Sequence, residues 1–206
     1  MNSPGPDPFR AFVEAIVRGE TVTATAILSA SPELARLKAT FGADRENARD
    51  NFFEEISHYI YGGDTALHMA AAGFRTELVA DLIGRGSDVR ARNRRGAEPL
   101  HYACDCAPGA PGWNPSAQAT TIRLLLEAGA DANALDKSGV APLHRAVRAR
   151  SAAAVDALIQ GGADVMARNG SGSTPFQLAT LNTGRSGSGS LEAKEQQMEI
   201  IRLLKA

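Results

Sequence analysis

The chain has 206 residues, 44% of them apolar and 5% aromatic, and a formal net charge of −1. That balance gives no overall pull toward nucleic acid or a membrane surface, and no run approaches the roughly 18 apolar residues of a transmembrane helix. Cys104 and Cys106, the two cysteines, stand too close together to build a disulfide framework. The start, Met1-Asn2-Ser3-Pro4-Gly5-Pro6, lacks a charged segment followed by an apolar run, which predicts no secretory leader and a cytoplasmic location. Arginine outnumbers lysine 18 to 4, a bias that points to a GC-rich bacterial genome.

Taken from the amino end, Phe12, Ala15, Gly19 and Ile27/Leu28 set out a phase that returns further along. Ala66-Leu67-His68, Pro99-Leu100-His101, Pro142-Leu143-His144 and Pro175-Phe176-Gln177 stand 33, 43 and 33 residues apart, each with a glycine four residues before its Leu or Phe. A second series follows: Gly86-Ser87-Asp88, Gly129-Ala130-Asp131 and Gly162-Ala163-Asp164. Self-similarity at this stride marks helix pairs stacked in a row. These residues resemble the ankyrin-repeat family over about residues 9–206. The resemblance implies an all-α ankyrin-repeat solenoid of about five helix-pair units with β-hairpin-like fingers, in one domain over 1–206. The units fall at about 4–62, 63–95, 96–138, 139–171 and 172–206, the outer two serving as caps.

Within a unit, Thr65 and Thr174 are placed as N-caps, and Pro99, Pro142 and Pro175 occupy the first helical position, where a missing N–H does no harm. Second helices show one apolar face: Val79/Leu82/Ile83, Ile122/Leu125/Leu126, Val155/Leu158/Ile159 and Ile200/Leu203/Leu204. Gly86, Gly129 and Gly162 then suit a left-handed C-cap.

Three stretches depart from the stride. Residues 46–60 place Phe52/Phe53, Ile56 and Tyr59/Ile60 at helical spacing, which predicts an extra amphipathic helix, either packed on the first repeats or exposed as a contact surface. Residues 105–115 add a Pro/Gly-rich loop around Trp113, which is either a lid over the neighbouring helix or a partner contact. Gly184 to Ser190 has the composition of a flexible loop and lacks the Lys-Ser/Thr of a phosphate loop.

Motifs for catalysis are missing: there is no Gly-x-Ser-x-Gly elbow, His-Glu-x-x-His or Walker loop, so no enzyme activity is expected. His68, His101 and His144 share a repeat position. Stacked helices sit roughly 10 Å apart, too far to share a metal, and the resemblance implies rings that hydrogen-bond loop backbone. No resident cofactor or metal is expected. His101, Cys104 and Cys106 leave open a metal or redox sensor, and the Trp113 loop a small-ligand site.

By the resemblance, a partner protein meets the finger tips and first helices along the concave face. That maps to Arg94, Arg95, Ala97, Asp105, Cys106, Lys137, Val140, Arg148, Ala149, Gly170, Ser171 and Ser173, with Trp113 in addition. Its centre is basic, as are Arg90 and Arg92 nearby, which suits a partner with an acidic patch. Arg145 stands where other units carry Met69, Tyr102 and Leu178, implying either a partner or an internal acidic neighbour. The expected role is a regulator, inhibitor or scaffold, monomeric alone.

Overall fold

The computed structural model describes residues 7–110, 112–181 and 190–205. The expected flexible loop at Gly184 to Ser190 lies outside these residues apart from Ser190.

Among the described residues, ten α-helices form five pairs: α1 (Pro8–Arg18) with α2 (Thr21–Ala30), α3 (Ala66–Ala72) with α4 (Thr76–Gly84), α5 (Pro99–Tyr102) with α6 (Pro115–Glu127), α7 (Pro142–Ala149) with α8 (Ala152–Gln160), and α9 (Pro175–Thr180) with α10 (Leu191–Leu203). First helices pack in file, α1 on α3, α3 on α5, α5 on α7 and α7 on α9. Second helices do the same from α4 to α10. The core is a continuous column of Leu, Ile, Val and Ala, including Leu67, Leu100, Leu143, Leu82, Ile122 and Leu158, which no single pair could bury by itself.

The capping logic follows the sequence. Asp7 Oδ1 accepts the Phe9 N–H and Thr174 Oγ1 the Gln177 N–H. Gly86, Gly129 and Gly162 stand at φ +81°, +94° and +86°, the left-handed region. Between pairs the chain turns in hairpin-like fingers: Asn93 N–H donates to Ala97 O, Asp136 N–H to Val140 O, and Asn169 N–H to Ser173 O. Arg94 N–H donates to Gly62 O and Lys137 N–H to Arg95 O, joining the first two of these fingers to the segments before them.

The extra helix expected at 46–60 is absent. Instead a 3₁₀ turn (Arg49–Asn51) leads into strand β1 (Phe52–Phe53), a second 3₁₀ turn (Glu54–Ile56) and strand β2 (His58–Tyr59). β1 and β2 pair antiparallel, Phe52 opposite Tyr59 and Phe53 opposite His58. Aromatic residues favour a pleated ladder, and Ser57 at φ +50° reverses the chain where a helix would have to continue. The apolar set divides accordingly: Phe53, Ile56 and Ile60 enter the core, whereas Phe52 and Tyr59 face outward. At the base of the insertion, Ala43 N–H donates to Ile60 O and Gly63 N–H to Ala39 O. There Gly42 is obligatory, since a Cβ on it would lie 2.5 Å from the Gly62 nitrogen.

Candidate functional site

Each first helix begins on the same side of the stack, where its leading turn meets a finger. His68, His101 and His144 fix that junction. Their Nδ1 atoms accept the N–H of Thr65, Glu98 and Ala141, at 3.1, 3.1 and 3.2 Å. With Nδ1 accepting, Nε2 carries the proton and donates to Ala97 O, Val140 O and Ala167 O in the following finger, each at 3.1 Å. Gln177 keeps the first half of the device, its Oε1 accepting from Thr174 N–H at 2.9 Å.

These rings are held neutral. Burial, reinforced by the Arg145 charge, lowers His101 to about 4, and burial lowers His68 and His144. The contribution of His101 to stability is complete above about pH 6.5 and is lost as the pH falls toward 4, a difference of about 3 kcal/mol. In His101→Gln the bridge to Val140 O is lost, at about 1 kcal/mol near pH 7, but the urea midpoint is expected to fall less steeply between pH 6.5 and 4 than in the wild type. Parallel pH profiles for the two proteins would refute this assignment.

Behind the junction lies a polar core that sequence reasoning missed. Asp64 is fully buried, and its carboxylate accepts from Tyr61 N–H at 2.6 Å, Asn93 Nδ2 at 2.8 Å and Tyr102 Oη at 2.8 Å. The His58 ring lies over Tyr102 with centroids 4.1 Å apart, so the inserted hairpin closes one wall of the site. Arg145 meets internal acidic neighbours: Nη1 reaches Asp105 Oδ2 at 2.6 Å and Nη2 reaches Asp136 Oδ2 at 2.8 Å. His58 Nε2 is 3.2 Å from the same Asp105 oxygen. Burial alone would raise both aspartates, but Arg145 holds them below the usual carboxylate range, helped at Asp105 by His58 and at Asp136 by backbone N–H groups. The one available signal was the departure at position 145 itself.

These elements enclose a concavity of about 420 Å³ between the hairpin, two fingers and the first helices α5 and α7. Of the expected contact residues, Arg95, Ala97, Asp105, Val140, Arg148 and Ala149 line it. Ala97 is only 1% exposed, and with its carbonyl committed to His68 it backs the groove rather than presenting a side chain. Ala149 is also buried. Lys137 and Ser171 stand exposed on finger tips outside the cavity, and Ser173 beside them is half-buried. Arg94 turns away, donating to Ala43 O and lying 5.5 Å from the Tyr61 ring, so it anchors the insertion. Arg90 pairs with Asp131, and Arg92 donates to the Gly96 and Leu135 carbonyls.

Among the described residues the alternative metal site is not assembled. Both nitrogens of His101 are occupied by backbone. Cys104 is buried with its Sγ donating to Leu100 O at 3.2 Å, and Cys106 is half-buried. Burial pushes both thiols up, away from the reactive thiolate, and among the described residues no three His, Cys, Asp or Glu side chains are grouped to hold a metal. Trp113 is half-buried, its backbone N–H donates to Ala110 O, its indole N–H has no partner among the described residues, and it does not line the cavity. No helix of the described residues is long and apolar enough to cross a membrane.

Residues 67–106 and 125–179 both match the family described as ankyrin repeats (many copies). Over 190 residues, 84% of this chain and 41% of the relative, the chain is 32% identical to Ankyrin repeat and SOCS box protein 6 of Homo sapiens. It is 37% identical to Ankyrin repeat and SOCS box protein 16 of Mus musculus over 115 residues, 56% of the chain and 25% of that protein. It is 32% identical to Tyrosine-protein kinase Shark of Drosophila melanogaster over 118 residues, 57% of the chain and 12% of the kinase. The chain therefore spans well under half the length of each. Ankyrin repeats are protein–protein interaction modules and typically carry no enzymatic activity. The stacked helix pairs, the histidine bridges between them and these matches agree: the chain belongs to the ankyrin-repeat family.

Proposed function

We propose that the chain is a non-enzymatic binding module that receives an acidic surface of a partner protein in its concave groove, acting as a monomeric cytoplasmic regulator, inhibitor or scaffold. The observation that carries this reading is the distribution of charge within the groove. Arg145 pairs with both Asp105 and Asp136 and cancels one of their two charges, and with Arg95 and Arg148 the lining holds three guanidinium groups against two carboxylates. Arg148 is exposed with no polar partner among the described residues, and the Arg95 guanidinium meets Tyr61, donating to its hydroxyl at 2.9 Å and lying 4.9 Å from its ring centre. The unmatched charge is cationic, and guanidinium groups favour carboxylate partners. Lys137, Ser171 and Ser173 extend the contact along the finger tips.

The test begins with affinity capture from the native cell, followed by titration of the purified partner. Arg95→Glu combined with Arg148→Glu is expected to weaken binding by 2 kcal/mol or more, about thirtyfold, if these arginines are the hot spots. Both side chains are exposed, so folding should be unaffected. A partner bound equally well by the double variant would refute the groove as the contact.

A further inference from the structure

The inserted hairpin raises a line of rings along the rim of the groove. Phe52 and Tyr59 face each other across the strand pair with centroids 4.7 Å apart, and Tyr59 lies 6.0 Å from Tyr61. Tyr61 in turn carries the Arg95 guanidinium 4.9 Å from its ring centre. Phe52 and Tyr59 are each 37% exposed, a large uncovered aromatic area in a chain with so few aromatics. Tyr59 and Tyr61 line both the groove cavity and a second hollow of about 350 Å³ beneath Arg94, so the ridge stands between two concavities. Rigid aromatic side chains beside arginine are the composition of a binding hot spot.

Resting on the function proposed above, we infer that the partner enters as an extended segment with an acidic residue over Arg95 and Arg148. An aromatic or large aliphatic residue about four positions away lies on Phe52 and Tyr59. The spacing follows from the steps of 4.9, 6.0 and 4.7 Å along the ridge, since an extended chain advances about 3.3 Å per residue. The rings run in single file, which suits one strand; a helix is about 10 Å across and would overhang them. The acidic end is set by the uncommitted cations of the groove, and the apolar end by rings whose offset geometry accepts a further ring or a branched side chain.

The probe is a random dodecapeptide library displayed on phage and selected on the purified chain. Enrichment of Asp or Glu about four residues from Phe, Tyr, Trp or Leu is expected. A synthetic peptide of that kind should bind at least tenfold more weakly to Phe52→Ser/Tyr59→Ser, and likewise to Arg95→Ala/Arg148→Ala. Because the serine pair could loosen the hairpin, Phe52→Leu/Tyr59→Leu serves as a second variant: it keeps apolar bulk, should unfold at the wild-type midpoint, and should still lose at least threefold. Peptides weakened only by the arginine pair would overturn the aromatic ridge while leaving the groove as the contact. Peptides indifferent to every variant would overturn both. No enrichment, or enrichment without the acidic–aromatic spacing, would overturn the inferred motif alone, the groove then standing or falling with the native partner.

Discussion

Arg145→Leu is expected to cost the fold about 3 kcal/mol in urea denaturation at pH 7, far more than a surface arginine would. Its guanidinium, from the fourth unit, joins two carboxylates of the third, at 2.6 and 2.8 Å, and side-chain exposure is 16% for Arg145 and 8% for Asp136. Removing the cation leaves two poorly solvated anions facing each other, whereas an exposed pair such as Arg90 with Asp131 is worth at most about 1 kcal/mol. The control is Arg145→Leu combined with Asp105→Asn and Asp136→Asn, which removes all three charges and should recover most of the loss. Both aspartates have depressed values, so their contribution is complete above the ordinary carboxylate range and is lost as the pH falls through and below about 4. A single-variant loss under 1 kcal/mol would show that the triad is not a structural tie.

Asp64→Ala is expected to be the more damaging change, at about 3–5 kcal/mol. Three donors, buried at Asn93 and Tyr102 and half-buried at Tyr61, lose their acceptor at once, each unsatisfied buried group costing about 1–3 kcal/mol with partial relaxation. Tyr102→Phe removes one donor and keeps the ring against His58, so it should cost only about 1 kcal/mol. Burial, together with the Asp64 carboxylate, raises the Tyr102 hydroxyl well above its ordinary value, so it remains a donor throughout the accessible pH range. Equal losses in the two variants would mean that Asp64 holds Tyr102 alone rather than joining the insertion to the Asn93–Ala97 finger. Because both variants disturb the wall of the groove, they should also weaken partner binding, unlike a change at exposed Arg123 on α6.

Much of this architecture was legible in the chain because it depends on short spacings. A histidine three residues into a helix always finds the same capped N–H, and a glycine after an apolar helical face always finds the same left-handed turn. Repetition then carries each local solution along the stack, so the repeats and the helix pairs followed from the residues themselves, and the backbone-bonding role of His68, His101 and His144 from the resemblance to the ankyrin-repeat family. The insertion behaved differently. Phe52, Phe53, Ile56, Tyr59 and Ile60 satisfy a helical period, but they satisfy a short hairpin equally well, and nothing within nine residues distinguishes the two. The surfaces waiting on either side decided the matter: core for Phe53, Ile56 and Ile60, and Tyr102 for the His58 ring.

The composition of the groove was hidden for the same reason. Arg145 with Asp105, Asp64 with Tyr102, and Asp64 with Asn93 are separated by 40, 38 and 29 residues, and no spacing rule couples residues that far apart. The sequence by itself determined the repeat and its caps. Only the tertiary structure decided which charges of the groove were already paired, because ion pairing depends on distances of a few ångströms that stacking sets and sequence order does not.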